Sequence, residues 1–115
     1  MVRAVDVPMT LLVTNDFPPA VGGIQRTLEA LALELPPDRI AVFCPAADPS
    51  ADAAIYDRAA PFPVLRQPER FLWPTPSVGR RIEAAARETG AEVVLFGACF
   101  PLALVGPRLA RAGIP

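Results

Sequence analysis

Apolar residues along this chain fall into two patterns, and their alternation predicts the elements. Residues 9–13 (MTLLV), 40–44 (IAVFC) and 92–96 (EVVLF) are short, nearly unbroken apolar runs. Continuous rather than alternating apolarity marks strands covered on both faces, as in a parallel sheet. Residues 62–66 (FPVLR) form a further run, and Pro63, which has no N–H to donate, assigns it to a sheet edge. Between the runs lie segments of helical period. Residues 24–35 place Ile24, Leu28, Leu31 and Leu35 on one face, with Arg26, Glu29 and Glu34 off it, and Pro36-Pro37 ends the helix. Residues 76–89 turn Val78, Ile82, Ala85 and Ala86 inward, and Gly90 is the stop. A shorter helix over 101–112 is entered through Pro101 and closed by Gly113.

The connectors are equally distinct. Residues 14–23 (TNDFPPAVGG) form a loop, and residues 67–75 a proline- and aromatic-bearing connector. The stretch holding Asp48, Asp52 and Asp57 is a loop with a helical turn; its acids are expected to be solvated, because the glycine and final glutamate of a calcium loop are missing. Strand–loop–helix alternation with short connections gives right-handed β-α-β units. The expected fold class is therefore α/β: a Rossmann-like parallel sheet flanked by helices. Ligands of such sheets sit at the carboxyl ends of the strands, which directs attention to the loops after Val13, Cys44 and Phe96.

Composition narrows the classes. At 115 residues and 52% hydrophobic, the chain can build one core but not two. A net charge of −1 gives no electrostatic reason to expect nucleic acid. Cys44 and Cys99 lack metal-ligand spacing and are expected to be buried free thiols, in keeping with a reducing cytoplasm. Without a histidine to activate it, Cys99 is not a nucleophile. No apolar run is long enough to cross a bilayer, and the first residues lack the order of a secretion signal.

Candidate chemistry lies in the first loop. Gly22-Gly23 stands between a strand and a helix, where glycines let a ligand approach the backbone and leave N–H groups uncovered. A helix start adds unpaired N–H groups and the positive end of its dipole, so the turn suits a phosphate. A plain tight strand-to-helix turn explains the pair equally well. The dinucleotide fingerprint G-x-G-x-x-G is not met by VGGIQRT, and a P-loop needs a lysine that this chain lacks.

The string LLVTNDFPPAVGGIQRTLEALALEL resembles the amino-terminal signature of glycosyltransferase family 4, the retaining GT-B enzymes. Within that family the likeness runs toward actinobacterial, GDP-mannose-dependent phosphatidylinositol mannoside mannosyltransferases. It continues through PFPVLR, LWPTPSVGRRIEAAARE and EVVLFGACFPLALVGPRLARAGIP. The resemblance implies an incomplete, acceptor-side amino-terminal domain over residues 1–115, with the rest of that domain and a donor domain outside the chain. It implies that Gly22 and Gly23 meet the donor diphosphate, and that Gln25, Asn15 and Asp16 lie on the acceptor side. For Gln25 an exposed first-turn residue, and for Asn15 and Asp16 bonding to nearby backbone, remain alternatives. It further implies a sugar-nucleotide donor (GDP-mannose), a lipid-linked acceptor, retention at the anomeric carbon and no obligatory metal or tightly bound cofactor. The family's histidine-bearing loop and diphosphate-clamping Arg/Lys pair have no counterpart here, so this stretch alone is expected to be inactive. The competing class is a non-catalytic Rossmann-like binding module.

Three further features have two readings each. Arg80, Arg81 and Arg87, with Arg66 and Arg70 upstream, form either a surface for anionic lipid at the inner face of the plasma membrane or an ordinary solvated face. Phe71-Leu72-Trp73 either packs into the core or lines an acceptor groove or lipid interface. The small residues of Gly97-Ala98-Cys99-Phe100 either leave room for an acceptor or a neighbouring loop, or form a plain strand-to-helix turn.

Overall fold

A computed structural model of the chain describes residues 8–15, 17, 23–46, 53–97, 105–111 and 113, with the side chains of residues 23–25 and 53 outside the description. The elements run β1 (Thr10–Val13), α1 (Gly23–Glu34), a single 3₁₀ turn (Pro37–Arg39), β2 (Ile40–Cys44), α2 (Ala53–Ala59), β3 (Val64–Arg66), α3 (Pro76–Thr89), β4 (Val93–Phe96) and α4 (Gly106–Arg111). All strands are parallel, in the order β3-β2-β1-β4. The Rossmann-like expectation is met among these residues.

One alternation builds both layers. Leu11, Val13, Ala41 and Phe43 point to the side covered by α3 and α4, where Val78, Ile82, Ala85, Ala86, Val105 and Leu109 complete a buried cluster. Leu12, Ile40, Val42 and Cys44 point to the other side, against Leu28 and Ala32 of α1 and against Phe17 and Phe62. Every residue of β1 and β2 is buried, which is why these strands carry nearly unbroken apolar runs. β4 departs from the expectation of a strand covered on both faces: it lies at an edge, is only partly buried, and Leu95 is exposed. β3 lies at an edge, as Pro63 required, and is shorter than the apolar run: Phe62 leaves the ladder to join an aromatic cluster, and the Pro63 carbonyl accepts from the Val42 N–H at 3.0 Å.

α3 shows how local signals fix an element. Thr75 caps it by accepting from the Val78 N–H at 3.1 Å, Pro76 opens it, and Gly90 ends it in the left-handed region at φ 72°. Val78 and Ile82 are β-branched and cost a few tenths of a kcal/mol in a helix, but burying each stabilises by about 1.5–3 kcal/mol. Burial wins. Gly79 is buried beneath α4; a Cβ there would stand 3.1 Å from Arg108 Cδ, and the missing side chain lets Arg108 cross α3 to Glu83.

α1 departs from expectation in its inward face. Leu31 is 39% exposed, whereas Ala32 is fully buried. The buried line runs Leu28–Ala32, with Leu35 partly buried beside it, so the step after Leu28 is four residues rather than three. The Tyr56 hydroxyl donates to Glu29 at 2.5 Å and ties the opposite flank of α1 to α2.

Candidate functional site

The strand order places the site. The chain advances from β1 to β2 to β3 in one direction, then returns through α3 to lay β4 on the far side of β1. α1 and α4, which follow β1 and β4, lie on opposite faces of the sheet, and the crevice outside the carboxyl ends of these two strands is the topological switch point. The start of α1 at Gly23 follows β1 toward it.

Three contacts hold that loop where it leaves β1. The Thr14 N–H donates to the Phe43 carbonyl at 3.1 Å. Asn15 bonds Leu72 at both ends: its Nδ2 donates to the Leu72 carbonyl at 3.0 Å, and its Oδ1 accepts from the Leu72 N–H at 2.7 Å. Phe17 is buried edge-on to Tyr56, with ring centroids 5.9 Å apart, and to Phe62 at 6.1 Å. Asn15 thus bonds backbone 57 positions away rather than the nearby backbone of a simple turn. Asp16 and Gly22 lie outside the described residues. Gly23 is the first residue of α1 and Gln25 the third. The first turn of that helix has no acidic residue, and the fourth position holds the exposed Arg26, so nothing there opposes the positive end of the dipole.

β4 is followed by Gly97. Its N–H donates to the Val13 carbonyl at 2.9 Å, and a Cβ on it would fall 2.8 Å from Leu28 Cδ1 and 2.9 Å from Thr14. The space beside this glycine is filled by Thr14 and Leu28. Residues 98–100, with Cys99, lie outside the described residues.

Beyond β2 the arrangement differs. Arg66 forks onto Asp57, with Nη2 2.7 Å from Oδ1 and Nε 3.2 Å from Oδ2, and its Nη1 donates to the Pro45 carbonyl at 3.2 Å. Asp57 is thus an ion-pair partner and not a solvated acid, contrary to the expectation for it; Asp48 and Asp52 lie outside the described residues. Burial acts to lower the pKa of Arg66, but the bonds to Asp57 and the nearby Cys44 and Tyr56 outweigh it and raise it. Cys44 is a buried free thiol, pushed up to about 12 by burial, which the opposing field of Arg66 does not offset. It carries no nucleophilic thiolate at neutral pH.

The arginine surface is also reduced by pairing. Arg81 bonds Gln67 at 2.9 Å and Glu69, tying the connector to α3. Arg87 and Arg108 both bond Glu83, at 3.2 and 3.0 Å, and hold its carboxyl below the usual range. Among the described residues, Arg70 and Arg80 take part in no ion pair. The Phe71-Leu72-Trp73 segment divides: Leu72 is fully buried, while Phe71 and Trp73 are 44% and 56% exposed, their rings 4.9 Å apart. No helix among the described residues is long and apolar enough to cross a membrane.

Sequence comparison sharpens this picture. The chain is 38% identical over 104 residues to the GDP-mannose-dependent monoacylated alpha-(1-6)-phosphatidylinositol monomannoside mannosyltransferase of Corynebacterium glutamicum, covering 90% of this chain and 27% of that protein. It is 43% identical over 107 residues to the GDP-mannose-dependent alpha-(1-6)-phosphatidylinositol monomannoside mannosyltransferase of Mycolicibacterium smegmatis, with the same coverage, and 43% identical over 109 residues to the protein of that name from Mycobacterium tuberculosis, covering 28% of it. No family model matches the chain. The chain spans about 27% of the length of the curated relatives it matches, and these homologues are the mannosyltransferases toward which the motif string pointed.

Proposed function

We propose that this chain is the amino-terminal, acceptor-side part of a retaining GT-B glycosyltransferase of family 4, which transfers mannose from GDP-mannose to a phosphatidylinositol-linked mannoside. The observation that carries the reading is the 38–43% identity, over nine-tenths of the chain, to enzymes named for that reaction. The fold supports it: α1 starts at Gly23 after β1, beside the switch point, where a parallel sheet of this order receives a nucleotide.

In this reading the main-chain N–H groups of Gly22 and Gly23 face the donor diphosphate. Charge growing on the leaving GDP is stabilised by those amides and by cationic groups of the donor domain. Gln25, Asp16 and the segment at Asn15 face the acceptor. A helix start contributes about 0.3–1 kcal/mol toward an anion, at most about 2. Micromolar affinity requires roughly 8 kcal/mol, so most of the donor affinity comes from a second domain closing over base and sugar. A lipid acceptor suits a peripheral position on the inner face of the plasma membrane, and Arg70, Arg80, Phe71 and Trp73 are the exposed groups suited to meet it.

The test uses the full polypeptide with GDP-mannose and phosphatidylinositol monomannoside. Gly23→Val adds a side chain where the amide must meet phosphate, and is expected to raise the donor KM at least about tenfold, the equivalent of about 1.4 kcal/mol. Transfer of no sugar by the unsubstituted protein would favour the binding-module class. Unchanged donor KM in the variant would remove the diphosphate role.

A further inference from the structure

We infer that Asn15 is a positioning residue: it acts on the site through Leu72, locking the loop after β1 to the connector before α3, and does not touch the acceptor. The inference rests on the transferase reading for its consequence and on geometry alone for its existence. A single side chain engages both the N–H and the C=O of one residue, at 2.7 and 3.0 Å. That double bond pattern is the pairing a strand would offer, supplied here by an amide. Asparagine is the short side chain with a donor and an acceptor in one plane; aspartate cannot donate, and leucine can do neither. The residue type is therefore accounted for by Leu72 without any ligand.

What the clamp holds is informative. Leu72 is fully buried in the cluster beneath α3, so its backbone is a fixed point. The connector is tied twice more, by the Gln67 N–H to the Cys44 carbonyl at 2.8 Å and by the Ala46 N–H to the Glu69 carbonyl at 2.7 Å. The loops after β1, β2 and β3 are thus joined into one assembly, with Asn15 as the member that belongs to the glycine loop. Phe17, two residues later, is buried against Tyr56 and Phe62. Loss of the clamp releases both the loop that leads to the donor site and the connector that carries Phe71 and Trp73.

This separates a positioning role from a direct acceptor contact. In the full polypeptide, Asn15→Ala is expected to speed amide hydrogen exchange at Leu72 by about tenfold or more, because its N–H loses its acceptor. It is also expected to raise the KM for GDP-mannose and for the phosphatidylinositol mannoside together. Asn15→Asp keeps an oxygen for the Leu72 N–H while losing the bond to the carbonyl, so it should give a smaller change in both readouts and covers the case in which the alanine variant does not fold. Unchanged exchange at Leu72 overturns the clamp. Faster exchange with a rise in acceptor KM alone, or with neither KM moved, overturns the positioning role. If the unsubstituted protein transfers no mannose, the transferase reading falls, while exchange at Leu72 still decides whether the clamp operates in solution.

Discussion

The carboxyl edge of the sheet has two halves built on opposite plans. Outside β2 and β3, side chains fill it: Arg66 is forked onto Asp57 and the Pro45 carbonyl, and Arg81 bonds Glu69 and Gln67. Outside β1 and β4, the described contacts include those of Gly97 with Thr14 and Leu28 and of Asn15 with Leu72, and none of the ion pairs among the described residues lies there. The difference teaches where an anion can enter. In the first half the cationic groups already hold carboxylates, and a ligand would have to displace them. In the second half α1 begins with no acid in its first turn. Among the described residues, none of the ion pairs lies at that switch point.

Substitutions that violate each plan should have unequal costs. The largest is expected at Gly97. A valine there must push against Leu28 and Thr14, both within 3.0 Å of where its Cβ would stand, and should destabilise the fold by about 3 kcal/mol in chemical denaturation. A loss below about 1 kcal/mol would mean that the β1–β4 junction is loosely packed, and the contrast would blur. In the other half, Asp57→Asn keeps the volume and removes the charge facing Arg66. These side chains are 22% and 14% exposed, so the cost should fall between that of a surface pair and a buried one, about 1–2 kcal/mol. Raising the salt concentration should shrink this difference only slightly, and a pair erased by moderate salt would be a surface pair after all.

The smallest effect is alkaline. The pKa of Cys44 is raised in the folded chain, from 9.0 to about 12, so its contribution is complete below pH 9 and is lost as pH climbs through that window. Between pH 9 and 10 stability should fall by about 1 kcal/mol from this group, since one pKa unit corresponds to about 1.4 kcal/mol. Cys44→Ala should flatten that part of the curve. Tyr56, hydrogen-bonded to Glu29 and raised mainly by burial, titrates higher and should add its own loss further up. An equal slope in the alanine variant would show that Cys44 is not the group responsible.

Much of the scaffold was legible in the sequence, because its signals are local. Thr75-Pro76 and Gly90 bracket α3, and the spacing of Val78, Ile82, Ala85 and Ala86 states which face is buried. The unbroken run of β2 and the proline beside β3 gave the centre and the edge of the sheet. Long-range pairing was not legible. Asp57 looks solvated until β3 brings Arg66 beside it, and Asn15 looks like turn chemistry until the connector brings Leu72 back across the sheet edge. Leu31 differs for a subtler reason: steps of three and four residues both fit a helical face, and here Ala32 rather than Leu31 takes the buried position. Of the site, α1 starts at Gly23, one residue before the loop pattern put it, while Gly22 and Asp16 lie outside the described residues.

The most direct measurement is a crystal structure of the full polypeptide with GDP-mannose bound. The diphosphate is expected outside the carboxyl ends of β1 and β4, within hydrogen-bonding distance of the main-chain N–H groups at residues 22–23, with Asn15 still bonded to Leu72. A diphosphate held elsewhere, with those amides facing solvent, would contradict it.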